Sequence, residues 1–287
     1  MIQSLRQIKR RIKSVENTRK ITKAMEMVSA AKLRRYQALL GQARAYAVEL
    51  ERILKNLITS APSFQHPLFE KREVKRVAGI LISSDSGLCG SYNYNLFKVA
   101  AQFIQNHSET QSYFSLGRRG ARFLKRSDVT VTDTEGIPKP QDMAPVMEKI
   151  INHAKQAFLG QTADEVYLIY TRFESMTSFA PVAEKLLPLE GIQIDPAIQN
   201  TADYILEPSP ARILEEIIPH LLALKVEQAV KGALVSEQVS RMMAMRQATD
   251  NAKQMIDSLT LERNKARQAT ITKELIEIVS GFQAQQK

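Results

Sequence analysis

Few residues of this chain combine the types and spacings that perform chemistry. Residues 83–90, SSDSGLCG, follow an apolar, β-branched run and have the strand-to-loop form of a nucleotide-binding turn. The passage holds two glycines, Gly87 and Gly90, where the dinucleotide fingerprint needs three, and no GxxxxGK[ST] loop occurs anywhere. The glycines are read instead as permitting a tight turn, in an exposed loop that touches a partner. Asp85 and Cys89 could be imagined as a catalytic pair, but no histidine lies nearby in sequence to orient them. His66, His107, His153 and His220 are scattered and share no metal-ligand spacing. No catalytic residue, cofactor-binding residue or metal ligand is assigned, and the chain is expected not to be an enzyme.

The elements that must hold such a loop are dominated by helix. From Leu5 to Leu57 an alternating step of three and four residues meets twelve apolar positions out of sixteen, without one slip of register. Gly41 is the only interior glycine and no proline precedes Pro62. That is the pattern of a coiled-coil helix, roughly 80 Å long at ~1.5 Å per residue. The four polar exceptions are consecutive: Arg19, Thr22, Glu26 and Ser29. There Ile21, Met25 and Val28 offer a different apolar face, so the helix is expected to turn toward something outside. A second helical stretch spans 211–280, with apolar sets Val235 to Leu259 and Ile271 to Phe282, and Pro219 is expected to kink or interrupt it. Its Met242, Met243 and Met245 read first as core, and secondly as an adaptable contact surface.

Between the two rods the pattern changes. Strands are predicted at 74–84, 112–116, 129–132 and 165–171, and helices at 95–106, 118–125 and 142–159. This alternation implies a small α/β domain with a largely parallel sheet. The predicted architecture is α/β, with a long antiparallel two-helix coiled coil from the two termini and an inserted Rossmann-like domain. Its parts are an N-terminal coiled-coil helix at 1–58, an α/β domain at 73–206 and a C-terminal coiled-coil helix at 208–287. Linkers are predicted at 59–70 and 207–210.

Charge is distributed unevenly. Residues 1–60 carry 14 Lys and Arg against 4 acids, residues 61–206 carry 15 against 16, and residues 207–287 carry 11 against 10. The excess behind the net +10 therefore sits on the first helix, as a basic stripe. Its plain reading is a solvated helix face. A competing reading is a basic coiled coil that binds nucleic acid, although only Tyr36 and Tyr46 are available there to stack bases. A nucleotide-binding enzyme built on the Gly87 loop is a third. No run of 18 apolar residues suits a membrane span, and the basic start is followed by no signal-like apolar segment, so the chain is expected to stay on the side where it is made. Cys89, the single cysteine, excludes an internal disulfide and fits a reducing compartment.

Four passages then bear a resemblance. NTRKITKAMEMVSAAKLRR (17–35), SDSGLCGSYN (84–93), SEQVSRMMAMRQATDNA (236–252) and NKARQATITKELIEIVSG (264–281) closely resemble, in order, the gamma subunit of bacterial F-type ATP synthases. Two positions depart from the family: Ser86 stands where arginine is usual, and Phe282 where alanine is usual. The paired cysteines of chloroplast relatives are absent, so thiol control is not expected. The resemblance implies a central rotor shaft within a hexamer of alpha and beta subunits. The α/β domain would lie against the epsilon subunit and the membrane c-ring, without inserting into the membrane. Catalysis would belong to the beta subunits, and the location would be the cytoplasmic face of the bacterial cell membrane. It further implies partner contacts through Lys20, Lys23 and Met25, through Arg241, Gln268 and Thr272, and through the Cys89 loop, with no nucleic acid and no cofactor.

Overall fold

The structure, a computed structural model, describes residues 5–60, 65–107, 111–189 and 209–285. Pro62 and half of the 207–210 linker, residues 207 and 208, lie outside the described residues, as does the side chain of Phe282. Two helices carry the ends of the chain: α1, Leu5–Ser60, and α5, Pro210–Gln285. Between them come β1 (Val77–Ile82), α2 (Tyr92–Asn106), β2 (Gln111–Leu116), α3 (Arg118–Arg126), β3 (Thr130–Glu135), α4 (Met143–Leu159), β4 (Glu165–Phe173) and β5 (Phe179–Leu187). The chain divides into two compact units, one of Met1–Ala30 with Arg241–Lys287 and one of Ala31–Ser240.

In the Ala31–Ser240 unit the sheet has the order β3-β2-β1-β4-β5. The first four strands are parallel and β5 pairs antiparallel with β4. Every residue of β1 is buried, as a strand covered on both faces must be. On one face Val77, Leu81, Tyr113 and Ile169 pack with Leu96, Ala100 and Phe103 of α2 and Leu124 of α3. On the other, Phe114 meets the His153 ring of α4 at 5.4 Å. Gly79 makes room for the Tyr113 ring: a Cβ there would stand 2.4 Å from a ring carbon. Burial pushes the Tyr113 phenol well above its ordinary pKa, so it stays neutral.

The α1 seam behaves as its periodicity predicts. Leu33, Tyr36, Leu40, Ala43, Ala47, Leu50, Leu54 and Leu57 are all buried. Burial and the Glu237 carboxylate both hold the Tyr36 phenol up. Arg44 of α1 donates to the Phe173 carbonyl and lies over that ring, with its guanidinium carbon 5.8 Å from the centroid. In α5, Leu214, Ile218, Leu221 and Leu222 are buried, and the helix runs through Pro219 without a break. The expected interruption does not occur: proline removes one helical hydrogen bond, and the buried side chains on both sides of it hold the helix across the gap.

In the other unit, Ile8 and Ile12 of α1 close on Leu259 of α5, with Val15 and Ala266 against them. Further along α1, the hydroxyls of Thr249 and Thr22 are 2.8 Å apart. Since α1 numbers rise while α5 numbers fall, these segments run antiparallel. The second apolar set of α5 departs from expectation: Ile271, Leu275 and Ile278 are exposed. The first buried residue described in α1, Ile8, already sits opposite Leu259, so no described residue of α1 reaches alongside them.

One strand was missed from the sequence. In β5, FAPVAEKLL, Pro181 and alternating polar residues hide an edge strand that is only half-buried for most of its length. Another overlooked contact joins the sheet's lower rim. Asp164, ahead of β4, accepts the N–H groups of Lys75 at 2.9 Å and Arg76 at 2.8 Å. Burial raises its carboxyl pKa, but these two N–H groups and the nearby Arg76 charge together bring it below the ordinary value.

Two predictions follow from packing and capping. Gly79→Ala should cost about 1 to 3 kcal/mol in denaturant unfolding, because the rigid Tyr113 ring blocks the new methyl group. Asp164→Asn should cost about 1 to 3 kcal/mol at neutral pH. Because the folded pKa lies below the unfolded value of about 4, this stabilisation is present above that pH and is lost as pH falls through the folded value. Unfolding curves of the two proteins should therefore converge under strong acid.

Candidate partner interface

The polar interruption of the α1 seam builds a basic groove. Arg19 and Lys20 stand on one turn of α1 and Lys23 on the next, with Ala24 and Met27 beside them, and Thr249, Asp250 and Lys253 of α5 form the opposite wall. The cavity is about 400 Å³. Four cations and one carboxylate line it. Lys23 is paired at 3.0 Å with Glu26 on its own helix, an exposed contact that restrains its charge only weakly. An acidic segment entering this groove would meet three cations on one wall and one on the other.

The apolar face anticipated at this point is present. Ile21 and Val28 are exposed, Met27 with them, and Met25 is half-buried. Arg19, Thr22, Glu26 and Ser29 thus occupy the inward positions while apolar side chains face out, a local inversion of the coiled-coil pattern.

Gln268 and Thr272 lie further along α5, both exposed, one turn apart, with the Thr272 hydroxyl donating to the Gln268 carbonyl at 3.0 Å. They share this surface with Ile271, Leu275 and Ile278, the last 67% exposed. They do not line the basic groove. Arg241 is 8% exposed, so its guanidinium is largely enclosed by the chain itself.

Cys89 is placed differently from its loop. Its side chain is 2% exposed, and the Asn93 amide stands 3.2 Å from Sγ. Its carbonyl accepts the Ser240 hydroxyl of α5 at 2.7 Å, while Tyr92 donates to the Ala233 carbonyl at 3.3 Å. The loop is therefore clipped to α5 at two points. What it presents outward is Leu88, 62% exposed and held at φ 62°. A branched residue in the left-handed region costs energy, so the surrounding hydrogen bonds impose this conformation.

Sequence reasoning overlooked Thr249, Asp250, Lys253, Ser240 and Leu88. The first three carried a signal in principle, since an antiparallel partner must supply residues opposite the polar break. The pairing register that identifies them is not written in either segment alone. Among the described residues no group of three or more His, Cys, Asp and Glu could hold a metal ion. His66 caps a short turn by accepting the Leu68 N–H, and His153 is held below its ordinary pKa by burial. No helix among the described residues is long and apolar enough to cross a membrane.

The family model for ATP synthase matches residues 4–285. The ATP synthase gamma chain of Polynucleobacter necessarius is 42% identical over 287 residues, spanning 98% of this chain and 99% of that one. That of Moorella thermoacetica is 40% identical over 284 residues, spanning 98% of both. In fold, the chain is similar to one in the mitochondrial ATP synthase of Euglena gracilis, solved with OSCP, F1 and the c-ring, at a TM-score of 0.66 and 16% identity over 98% of this chain and 94% of that one. With two long helices flanking a mixed sheet, and this likeness from end to end, the chain belongs to the ATP synthase gamma chain family.

Proposed function

We propose that this chain is the central rotor shaft of an F-type ATP synthase, coupling ion flow through the membrane sector to ATP synthesis or hydrolysis at the beta subunits. It is a non-catalytic subunit. The observation that carries the mechanical reading is the state of α5 beyond Ala266. The helix continues there with Ile271, Leu275, Ile276, Ile278 and Val279 exposed, a surface that needs an enclosing apolar wall. A ring of alpha and beta subunits supplies such a wall, and a smooth apolar contact lets the helix turn without breaking directional bonds at each step.

The basic groove fits the complementary task. Each elementary charge crossing 100 mV releases about 2.3 kcal/mol, so turning the rotor needs contacts that push on the catalytic subunits at defined angles. Lys20 and Lys23, with Lys253 opposite, engage acidic loops of the beta subunits, and Met25 fills the apolar margin. Gln268 and Thr272 contact the same subunits higher on α5. Arg241 adds a contact earlier on the same helix, and the Cys89 loop touches a partner through Leu88. Residues 73–206 act as one domain between coiled-coil segments 1–58 and 208–287, and meet the epsilon subunit and the c-ring. The subunit is peripheral, at the cytoplasmic face of the bacterial cell membrane. The basic stripe thus faces protein, and the nucleic-acid reading gains no support from the relatives.

Purified alone, the chain should show no ATP hydrolysis, and it should be retained by alpha and beta subunits in a pull-down; turnover by the chain alone would overturn the assignment. Charge reversal at Lys20, Lys23 and Lys253 together should lower ATP-driven ion pumping by about tenfold, the equivalent of ~1.4 kcal/mol of lost contact, with helicity by circular dichroism unchanged. Gln268→Leu should impair pumping while leaving assembly intact. Loss of assembly instead would assign this residue a structural part.

A further inference from the structure

Open α/β sheets bind ligands at the carboxyl ends of their parallel strands, where helix N-termini offer free N–H groups to phosphate. This chain has the sheet, the edge and the helix. The N–H groups at the start of α3, however, are already taken by residues of the loop that follows β1. Arg118 donates to Asp85 Oδ1 at 2.9 Å, Arg119 to the Ser84 carbonyl at 3.0 Å, and Gly120 to Ser83 Oγ at 2.7 Å. The second carboxylate oxygen of Asp85 accepts the Ile137 N–H, just after β3, at 3.1 Å. One carboxylate thus joins the ends of three strands.

Gly117 permits the approach. It sits at φ 100°, and a Cβ there would stand 2.4 Å from the Ser83 carbonyl oxygen. The same loop, four residues beyond Asp85, holds α5 through the Cys89 carbonyl and Ser240. Ser84 and Cys89 are tied to each other by Asn93, whose amide donates to Ser84 Oγ at 2.8 Å and reaches Cys89 Sγ.

We infer that Asp85 is the positioning residue of the Cys89 loop: its carboxylate fills, from within the chain, the place an anionic ligand takes in a nucleotide-binding relative of this sheet, and so fixes the loop that grips α5. The crevice is closed by the chain itself, and the loop forms a clip between the sheet and α5. The inference deepens the rotor reading by naming a residue that stiffens the junction. It stands on the loop's geometry and is tested on the chain alone.

Cys89, the only cysteine, is the probe. In the full chain with Asp85→Ala, the buried thiol should react with Ellman's reagent about tenfold to a hundredfold faster than in the unaltered protein, the scale set by losing hydrogen bonds to a charged acceptor. Formate, a free carboxylate, should slow that reaction toward the original rate, whereas chloride at equal ionic strength should not. An unchanged rate in Asp85→Ala overturns the inference, and so does a faster rate that ignores formate, since that is general loosening. If the alanine variant does not fold, Asp85→Asn decides by rate alone. Its amide has one accepting oxygen and an NH2 where the other carboxylate oxygen stood, so one of the two bonds is lost; an increase supports the inference and the original rate overturns it. None of these outcomes depends on whether the chain binds alpha and beta subunits, so the two readings fail separately.

Discussion

Helices of 56 and 76 residues must be held by side-chain burial, because backbone propensity alone leaves an isolated helix marginal in water. The α1 seam supplies that burial. Between Leu33 and Leu57 every seam position is enclosed, and near the start of the helix Ile8 and Ile12 close on Leu259. At roughly 1.5 to 3 kcal/mol for each large apolar side chain fully removed from water, the leucines and isoleucines alone exceed 10 kcal/mol. The surface ion pairs along the helix, Lys23 with Glu26 and Arg52 with Glu49, contribute a few tenths of a kcal/mol each. Apolar burial therefore fixes the shaft and leaves the charges free for other work.

This division of labour explains where the chain keeps its polar exceptions. A polar residue in a coiled-coil seam weakens the pairing but selects one register, because only one alignment gives it a partner. Thr22 meets Thr249 hydroxyl to hydroxyl, and the Met245 carbonyl lies 2.8 Å from the same Thr249 oxygen. Slipping the pair by one turn would part the two hydroxyls and leave each without the other as a partner. The break thus costs stability locally and sets which α5 residues, Asp250 and Lys253, stand opposite Lys20 and Lys23. Register at one point of the coil determines the charge pattern of the groove.

How much of this was legible in the sequence depends on the range of the interaction. The seam could be read because its period is local, and the alternation of strands with helices could be read because β1 and β4 are buried apolar runs. Strand β5 escaped because it is an edge strand: its outward side chains answer to solvent, and Pro181 can sit where a central strand would need its N–H. The exposed set from Ile271 onward shares the spacing of the buried set ending at Leu259, and spacing alone cannot say whether a partner lies in the same chain. The turn around Cys89 was legible from its glycines, yet the Cys89 side chain turns inward while Leu88, held at positive φ, turns out. The seven residues expected to face partners divide accordingly. Those on exposed helix faces lie where periodicity puts them, and Arg241 and Cys89 are enclosed by tertiary contacts that no local pattern encodes.

The loop from Ser83 to Asn93 shows why an inherited sheet need not keep its chemistry. A helix N-terminus exerts its pull on negative charge whatever the source, and an aspartate on a neighbouring loop has the advantage of permanent attachment: its effective concentration is set by the chain, with no translational entropy to lose on binding. Once Asp85 occupies that position, a free phosphate would have to displace two backbone hydrogen bonds to gain the same field. A crevice filled in this way also holds still. For a subunit whose task is to transmit rotation, compliance between the sheet and α5 dissipates work as elastic strain, so a closed crevice and a stiff clip serve the same end.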